Sequence, residues 1–321
     1  MSAQDLPWLE PHKTLLRAAY AAGRLAHALL IHEAPGTGGD LLATWAAQLV
    51  LCTDANHPPC GVCAGCRRVA STQHPDLTTL QLIEESRQIR VEQVRELTAE
   101  LTLTSHQGGY KVAIVSPADA LNRAAANALL KTLEEPTART LLILVATQPS
   151  RLPATLLSRC QRIHVRAPAR DEAVAWLQSL RGPAEWGATL DVLGDAPLYA
   201  AQVDPKTVVE FARETRRVLE ETAGGREDPA ATADRWWRTD LLLRLLCIEN
   251  WLTDRVRRHF AGGVFSVEMG ASVRLQRGPQ IPSIRRLFGL IDAVQELKSS
   301  LDAPINRALA LESLLRRLTA G

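Results

Sequence analysis

A short loop between an apolar run and a helical stretch is the feature that most constrains how this chain can fold. The run Ala28–His32 precedes the loop Glu33–Asp40, and the stretch Leu41–Leu51 follows it. An apolar strand, a glycine-containing loop and a helix in this order are the context of a phosphate-binding loop, G-x-x-x-x-G-K-[ST]. We therefore expect an α/β domain with a parallel sheet.

The residues that would act on a phosphate are missing from this loop. Gly36 and Gly38 keep its glycine character, but Glu33 stands where the first glycine is expected. Gly39 replaces the lysine that would reach the β- and γ-phosphates, and Asp40 replaces the hydroxyl that would hold Mg²⁺. A carboxylate about 4 Å from a phosphate repels it by roughly 4 kcal/mol at an effective dielectric near 20. The loop predicts a chain that is built like an ATPase and does not hydrolyse ATP.

A second part of an ATP site is also missing. A working site needs a strand that ends in acidic residues, which bind Mg²⁺ and activate water. The candidate strand is Lys111–Val115, and it is followed by Ser116 and Pro117 instead of Asp and Glu. Because proline supplies neither a base nor a ligand, the loss of catalytic groups extends beyond the loop.

Composition excludes several classes of protein. The 321 residues are 46% apolar and 22% charged, which is typical of a packed globular chain. Lys and Arg number 37 against 35 Asp and Glu, so a protein that binds nucleic acid over its whole surface is not expected. The N-terminus lacks the pattern of a secretory signal and no uncharged apolar run reaches about 18 residues, which predicts a cytosolic protein.

Three regions follow from the pattern of apolar residues. Residues 1–166 alternate short apolar runs with amphipathic stretches, which predicts a parallel sheet covered by helices on both faces. Residues 167–204 contain two or three short helical pieces. Residues 205–321 are predicted to form long helices: Thr207–Thr222, Pro229–His259, Ser283–Ser300 and Pro304–Leu318.

Four cysteines form a compact group in the first region. Cys52, Cys60, Cys63 and Cys66 have the spacing C-x₇-C-x₂-C-x₂-C, which can place four thiolates around one Zn²⁺ in a closed, structural site. His57 could replace Cys52 as a ligand, and an iron–sulfur cluster uses similar residues. A disulfide pair or free thiols are the remaining alternatives, and a reducing compartment disfavours the disulfide. We expect a zinc-binding insert at residues 52–66.

Several motifs resemble the clamp-loader branch of the AAA+ family. The most specific is Asn127–Pro136, NALLKTLEEP, followed by the run Leu141–Ala146 and by LSRC at Leu157–Cys160. Further similar segments are Arg24–Leu30, His74–Asp76 and Asn306–Leu315. The resemblance implies a AAA+ α/β domain at 1–166, a small helical lid at 167–204 and a helical collar at 205–321. It also implies a place in a pentameric ring that opens the sliding β-clamp and loads it onto primed DNA.

Within that branch, this sequence is similar to the subunit type that has a degraded phosphate loop and keeps zinc. The resemblance implies assembly with the gamma/tau motor subunit and the delta subunit of DNA polymerase III. Arg159 matches the arginine that reaches ATP bound on a neighbouring subunit, so it is expected to act in trans. Thr147 matches the sensor position, and Lys131 with Glu134–Glu135 is expected on the face between subunits.

Two other functions stay open at this point. An autonomous ATPase with unusual residues would show Mg²⁺-dependent hydrolysis by the isolated chain. A zinc-dependent DNA-binding module is the second alternative, since Arg235–Arg238, Trp251 and Arg255–Arg258 could stack on bases and pair with phosphates. The helical spacing of Trp237, Leu241, Arg244 and Cys247 fits packing equally well, and we favour core and collar contacts for this region.

Overall fold

The computed structural model describes residues 6–83, 86, 88–106, 108–261, 284–301 and 306–319. The chain forms two compact units, Met1–Ala169 and Arg170–Gly321. The finer prediction of a lid at 167–204 and a collar at 205–321 stays a prediction. Among the helices of the described residues, none combines the length and apolar character needed to cross a membrane.

The first unit contains a five-stranded parallel sheet. Its strands are β1 (Ala28–Glu33), β2 (Leu77–Leu80), β3 (Lys111–Val115), β4 (Thr140–Ala146) and β5 (Gln161–Val165). Their order is β2-β3-β4-β1-β5, and Ile31 lies opposite both Val145 and Ile163. Because β1 lies between β4 and β5, the loop that follows β1 emerges next to the carboxyl ends of its neighbours.

Helices cover both faces of this sheet. They are α1 (Glu10–Ala21), α2 (Gly39–Leu51), α3 (Ala64–Ala70), α4 (Val91–Thr102), α5 (Arg123–Glu134) and α6 (Ala154–Leu157). Every residue of β4 is buried, and successive strand residues point to opposite faces, so both faces of β4 are covered. Alternate residues such as Leu142 and Leu144 join the core formed with α4 and α5, while α2 contacts β1, β3 and β4. The predicted α/β class is confirmed.

The described residues of the second unit form helices joined by turns and loops. It contains α7 (Arg170–Arg181), α8 (Trp186–Leu193), α9 (Pro197–Ala200), α10 (Pro205–Ala223), α11 (Pro229–Trp236), α12 (Leu241–Ala261), α13 (Ile284–Ser299) and α14 (Arg307–Thr319). Its largest core cluster joins Trp236, Leu245, Leu290 and Leu315. The helical part of the prediction is therefore confirmed.

One predicted helix of this unit is wrong in its extent. The expected single helix Pro229–His259 is two helices, because the chain leaves helical geometry between Trp236 and Leu241. Asp240 adopts a φ of 41°, in the left-handed region that no continuous α-helix contains. Apolar periodicity continues on both sides of this turn, so the sequence pattern alone does not reveal the break.

Candidate functional site

The phosphate-loop segment has the predicted position between β1 and α2. Gly38 has a φ of 94° and is the last residue before α2, a conformation that favours glycine. The backbone N–H and the hydroxyl of Thr37 both donate to the carbonyl of Ala34, at 3.2 and 2.7 Å. The buried indole N–H of Trp8 donates to the carbonyl of Thr37 at 2.8 Å. These bonds fix the loop against the N-terminal segment.

The Glu33 carboxylate lies at the N-terminal end of α2. The backbone N–H of Gly39 donates to Glu33 Oε2 at 2.5 Å. Burial raises the pKa of Glu33 to about 7, and the negative charges of Asp40 and Asp119 add to the rise, against hydrogen bonds from the N–H groups of Gly39 and Gly38. The sequence pattern marked Glu33 only as a missing glycine. The sequence signal that could have predicted this contact is an acidic residue six positions before the first residue of the following helix.

Asp40 and Ser116 meet beside the same loop. Ser116 Oγ donates to Asp40 Oδ1 at 2.6 Å, although the two residues are 76 positions apart. They occupy the sequence positions at which a working site would carry a hydroxyl and a carboxylate for Mg²⁺. The sequence predicted that both functional groups were lost, and it did not predict that their replacements would bind each other.

Asp119 binds the residue at the sensor position. Thr147 Oγ1 and the backbone N–H of Gln148 donate to Asp119 Oδ2 at 3.0 and 2.9 Å. Thr147 follows β4, as predicted, and its hydroxyl is engaged inside the chain. Asp119 was not among the predicted site residues. Its position shortly after β3 places it beside the end of β4, which lies next to β3 in the sheet.

Arg159 lies between α6 and β5 and is partly exposed. Its Nη2 makes an ion pair with Glu134 Oε1 at 2.6 Å, and its Nη1 donates to the carbonyl of Thr155 at 2.8 Å. Glu134 is the last residue of α5, within the NALLKTLEEP motif. The two motifs singled out in the sequence are therefore in direct contact. The guanidinium is held at the protein surface, 35% exposed, by side-chain and backbone acceptors.

The four predicted zinc ligands lie together. Their sulfur atoms are all within 4.8 Å of one another, and Cys52 Sγ lies 3.7 and 3.8 Å from those of Cys60 and Cys63. A tetrahedron with Zn–S bonds of about 2.3 Å requires sulfur separations of about 3.8 Å. Among the described residues, this group of candidate ligands contains no histidine, so His57 does not replace Cys52. The arrangement is compatible with one metal ion held by all four sulfur atoms.

Local structure prepares this cysteine cluster. Backbone N–H groups of Cys63 and Cys66 donate to the sulfurs of Cys60 and Cys63, each at 3.3 Å, which favours thiolates as ligands. A Cβ at Gly65 would lie 2.3 Å from the carbonyl oxygen of Leu51, so only glycine lets α3 approach the end of α2 this closely. The cluster is thereby fixed to the helix that follows the phosphate-loop segment.

The arginines and tryptophans of the second unit fall into two groups. Arg244 is buried between the rings of Phe211 and Trp236, with its Cζ 3.9 and 4.5 Å from their centroids. Arg238 is exposed and lies over Trp237 at 5.3 Å. Trp236 and Trp251 are buried in the core of this unit. These contacts support the predicted packing role for the tryptophans of the core.

Comparison with known proteins places these features in a family. A family model described as DNA polymerase III, delta subunit, matches residues 9–169. The DNA polymerase III subunit delta′ of Pseudomonas aeruginosa is 32% identical over 300 residues, 90% of each chain. The Escherichia coli subunit delta′ is 44% identical over 172 residues, which span 53% of this chain and 52% of that protein.

The tau subunit of DNA polymerase III from Escherichia coli is also similar, with 35% identity over 155 residues, 48% of this chain and 24% of tau. The match to the Pseudomonas aeruginosa delta′ subunit, in contrast, extends through both units. The chain belongs to the DNA polymerase III subunit delta′ family.

Proposed function

We propose that this chain is the ATPase-inactive subunit of a DNA polymerase III clamp loader, and that it assembles with gamma/tau and delta subunits to place the sliding β-clamp on primed DNA. The observation that carries this proposal is the likeness to delta′ over 90% of both chains, which includes the helical second unit. Similarity to tau over about half of the chain supports a shared ring architecture with the motor subunit.

The absence of ATP turnover is supported by the geometry of the loop. Position 39 carries no lysine, and its N–H binds Glu33. The carboxylate of Asp40 accepts a hydrogen bond from Ser116. The hydroxyl and the carboxylate therefore bind each other and do not offer Mg²⁺ the usual pair of ligands. An autonomous ATPase has no support among these contacts.

In the proposed complex, Arg159 contributes to ATP hydrolysis on the adjacent subunit. A guanidinium can form two parallel hydrogen bonds with phosphate oxygens and keeps its charge at all physiological pH values. The partial exposure of Arg159 in the turn after the short helix α6 is consistent with contact to a neighbouring molecule. Its ion pair with Glu134 would have to open or extend when the γ-phosphate is engaged.

A structural zinc ion completes the proposal for the first unit. Cys52, Cys60, Cys63 and Cys66 would hold it with four protein ligands, which leaves no open coordination position for a substrate. The ion would fix the segment between α2 and α3 and would take no part in hydrolysis.

Reconstitution tests this function directly. The chain is mixed with purified gamma/tau and delta subunits, and the complex is isolated by size exclusion before clamp loading on primed DNA is measured. We expect one stable complex and clamp loading that depends on this chain. Magnesium-dependent ATP hydrolysis by the isolated chain, or failure to associate with the motor subunit, would contradict the proposal.

A further inference from the structure

The N-terminal end of α2 already has a hydrogen-bond acceptor from the chain itself, the Glu33 side chain. The first N–H groups of a helix have no partner inside the helix and carry partial positive charge, so they attract phosphates and carboxylates. Gly38, the residue before α2, has no side chain that could cap the helix. The N–H of Gly39 instead donates to the carboxylate of Glu33 at 2.5 Å.

We propose that the Glu33 carboxylate takes the place of a bound phosphate at the N-terminal end of α2 and closes the degraded loop to phosphate ligands. The site of an anion is thus kept in the backbone and occupied by the chain itself. The absence of the lysine removes only a positive charge that would attract phosphate. The Glu33 side chain would exclude nucleotide more completely, because it also fills the space that a phosphate would occupy.

The space around Gly39 supports occupation by the whole Glu33 side chain. A Cβ added to Gly39 would lie 2.6 Å from Glu33 Oε2, 2.8 Å from its Cδ and 2.9 Å from its Cβ. The side chain therefore lies along the loop backbone where the lysine of a working loop begins. A lysine at position 39 and a glutamate at position 33 exclude each other in this backbone conformation.

Hydrogen bonds hold the loop in the backbone conformation in which Glu33 contacts Gly39. Trp8 and Thr37 fix the loop carbonyls, and Ala34 donates its N–H to the carbonyl of Val165 at 3.0 Å. Because the loop backbone is fixed, a phosphate could bind the Gly39 N–H only if the Glu33 side chain moved away from that N–H. Asp40, next in the chain, adds a second negative charge at the same end of α2.

The biological role of this closure rests on the proposed lack of ATP turnover, but the closure itself does not. It is tested on the isolated full-length chain with inorganic pyrophosphate. Clamp loading and the trans role of Arg159 can therefore fail or hold independently of it. Four proteins are compared in the first experiment: wild type, D40S, E33A/D40S and E33Q/D40S. The D40S background removes the second charge, and Gln keeps the size and the hydrogen-bond acceptor of Glu33 without its charge.

Pyrophosphate binding is measured by calorimetry, and the site is located by the amide shifts of Gly38 and Gly39. We expect E33A/D40S to bind at least tenfold more tightly than D40S, with both amides shifted. E33Q/D40S should behave like D40S, because Gln still fills the site. If E33A/D40S does not fold, E33G/D40S replaces it, since glycine is the residue of a working loop at this position.

Three results would overturn the proposal. Equal pyrophosphate affinity of D40S and E33A/D40S would mean that Glu33 blocks nothing. Binding by E33Q/D40S as tight as that of E33A/D40S would mean that charge repulsion, without occupation of the site, keeps phosphate out. A folded E33A/D40S or E33G/D40S protein that binds no pyrophosphate would equally show that the backbone no longer forms an anion site.

Discussion

Ser116 Oγ donates a hydrogen bond of 2.6 Å to Asp40 Oδ1, and this contact joins the helix that follows β1 to the carboxyl end of β3. In a phosphate-loop ATPase the helix supplies the hydroxyl and the strand supplies the carboxylate, and both approach Mg²⁺. Here the two chemical types have exchanged positions and bind each other directly. The contact therefore keeps loop and sheet together without an ion.

Gly39→Ala should destabilise the first unit. Its Cβ would meet the Glu33 side chain at 2.6 to 2.9 Å, so the carboxylate must move and lose its N–H donor. Overpacking of this kind costs about 1–3 kcal/mol of unfolding free energy, measured by urea denaturation. Gly289→Ala is the matched control, because a Cβ added there would meet no atom within 4 Å and alanine favours a helix by up to about 1 kcal/mol. Equal stability changes in the two variants would contradict this expectation.

The titration of Glu33 should make stability fall as pH rises. The pKa of Glu33 is about 7 in the folded chain and near 4.5 when unperturbed, so the folded state binds more protons between these values. Stability from this group is therefore greatest below pH 4.5, falls up to about pH 7 and is then constant. The total loss is about 3 kcal/mol.

Glu33→Gln removes this titration and keeps the acceptor for Gly39. The difference in unfolding free energy between wild type and E33Q is measured from pH 5 to pH 8, which cancels contributions from histidines that titrate in the same range. We expect wild type to lose stability relative to E33Q over this interval. A difference that does not change with pH would show that Glu33 is already ionised at pH 5.

The sequence predicts the sheet and the grouping of the four cysteines because both depend on short-range patterns. Apolar runs specify the strands, and the spacing of Cys60, Cys63 and Cys66 allows little except a common site. Contacts between distant residues are the part that it does not predict. Neither the meeting of Asp40 with Ser116 nor the placement of Glu33 at α2 follows from local preference, since each depends on how strands and helices are arranged in three dimensions.

Removal of Cys63 should release zinc. Cys63 would supply one of four ligands, and its sulfur also accepts the N–H of Cys66 at the start of α3. We expect wild type to hold one zinc per chain and Cys63→Ser to hold less than a tenth of that, with faster amide exchange in residues 52–70. Metal content is measured by mass spectrometry after dialysis. Cys160→Ser is the control, because Cys160 lies outside the cluster, and one retained zinc in Cys63→Ser would refute the ligand assignment.

Arg244→Ala should destabilise the second unit without a specific effect on DNA binding. The side chain is 8% exposed, pairs with Glu214 and donates to Thr215 at 2.8 Å between two aromatic rings. Removal of a buried, paired arginine costs about 2–4 kcal/mol, because packing is lost and an acceptor is left alone. Arg238→Ala provides the exposed control and should cost less than about 1 kcal/mol. Urea midpoints that rank the two variants in the opposite order would exclude a core role for Arg244.

Arg159→Ala should leave folding intact and slow hydrolysis of ATP bound on the adjacent subunit. The ion pair with Glu134 joins groups that are 35% and 51% exposed, so its loss costs less than about 1 kcal/mol of stability. An arginine that contacts the γ-phosphate in trans can contribute about 10³–10⁵ to turnover at that site. ATP hydrolysis and clamp loading by the reconstituted complex should therefore fall while the urea midpoint of the chain changes little.

Arg159→Lys keeps the charge without the planar fork and should recover only part of the rate. Arg151→Ala, a substitution of an exposed arginine in the turn between β4 and α6, should leave both activities unchanged. If Arg159→Ala and Arg151→Ala complexes hydrolyse ATP at the same rate, Arg159 serves only the local contact with Glu134 and Thr155.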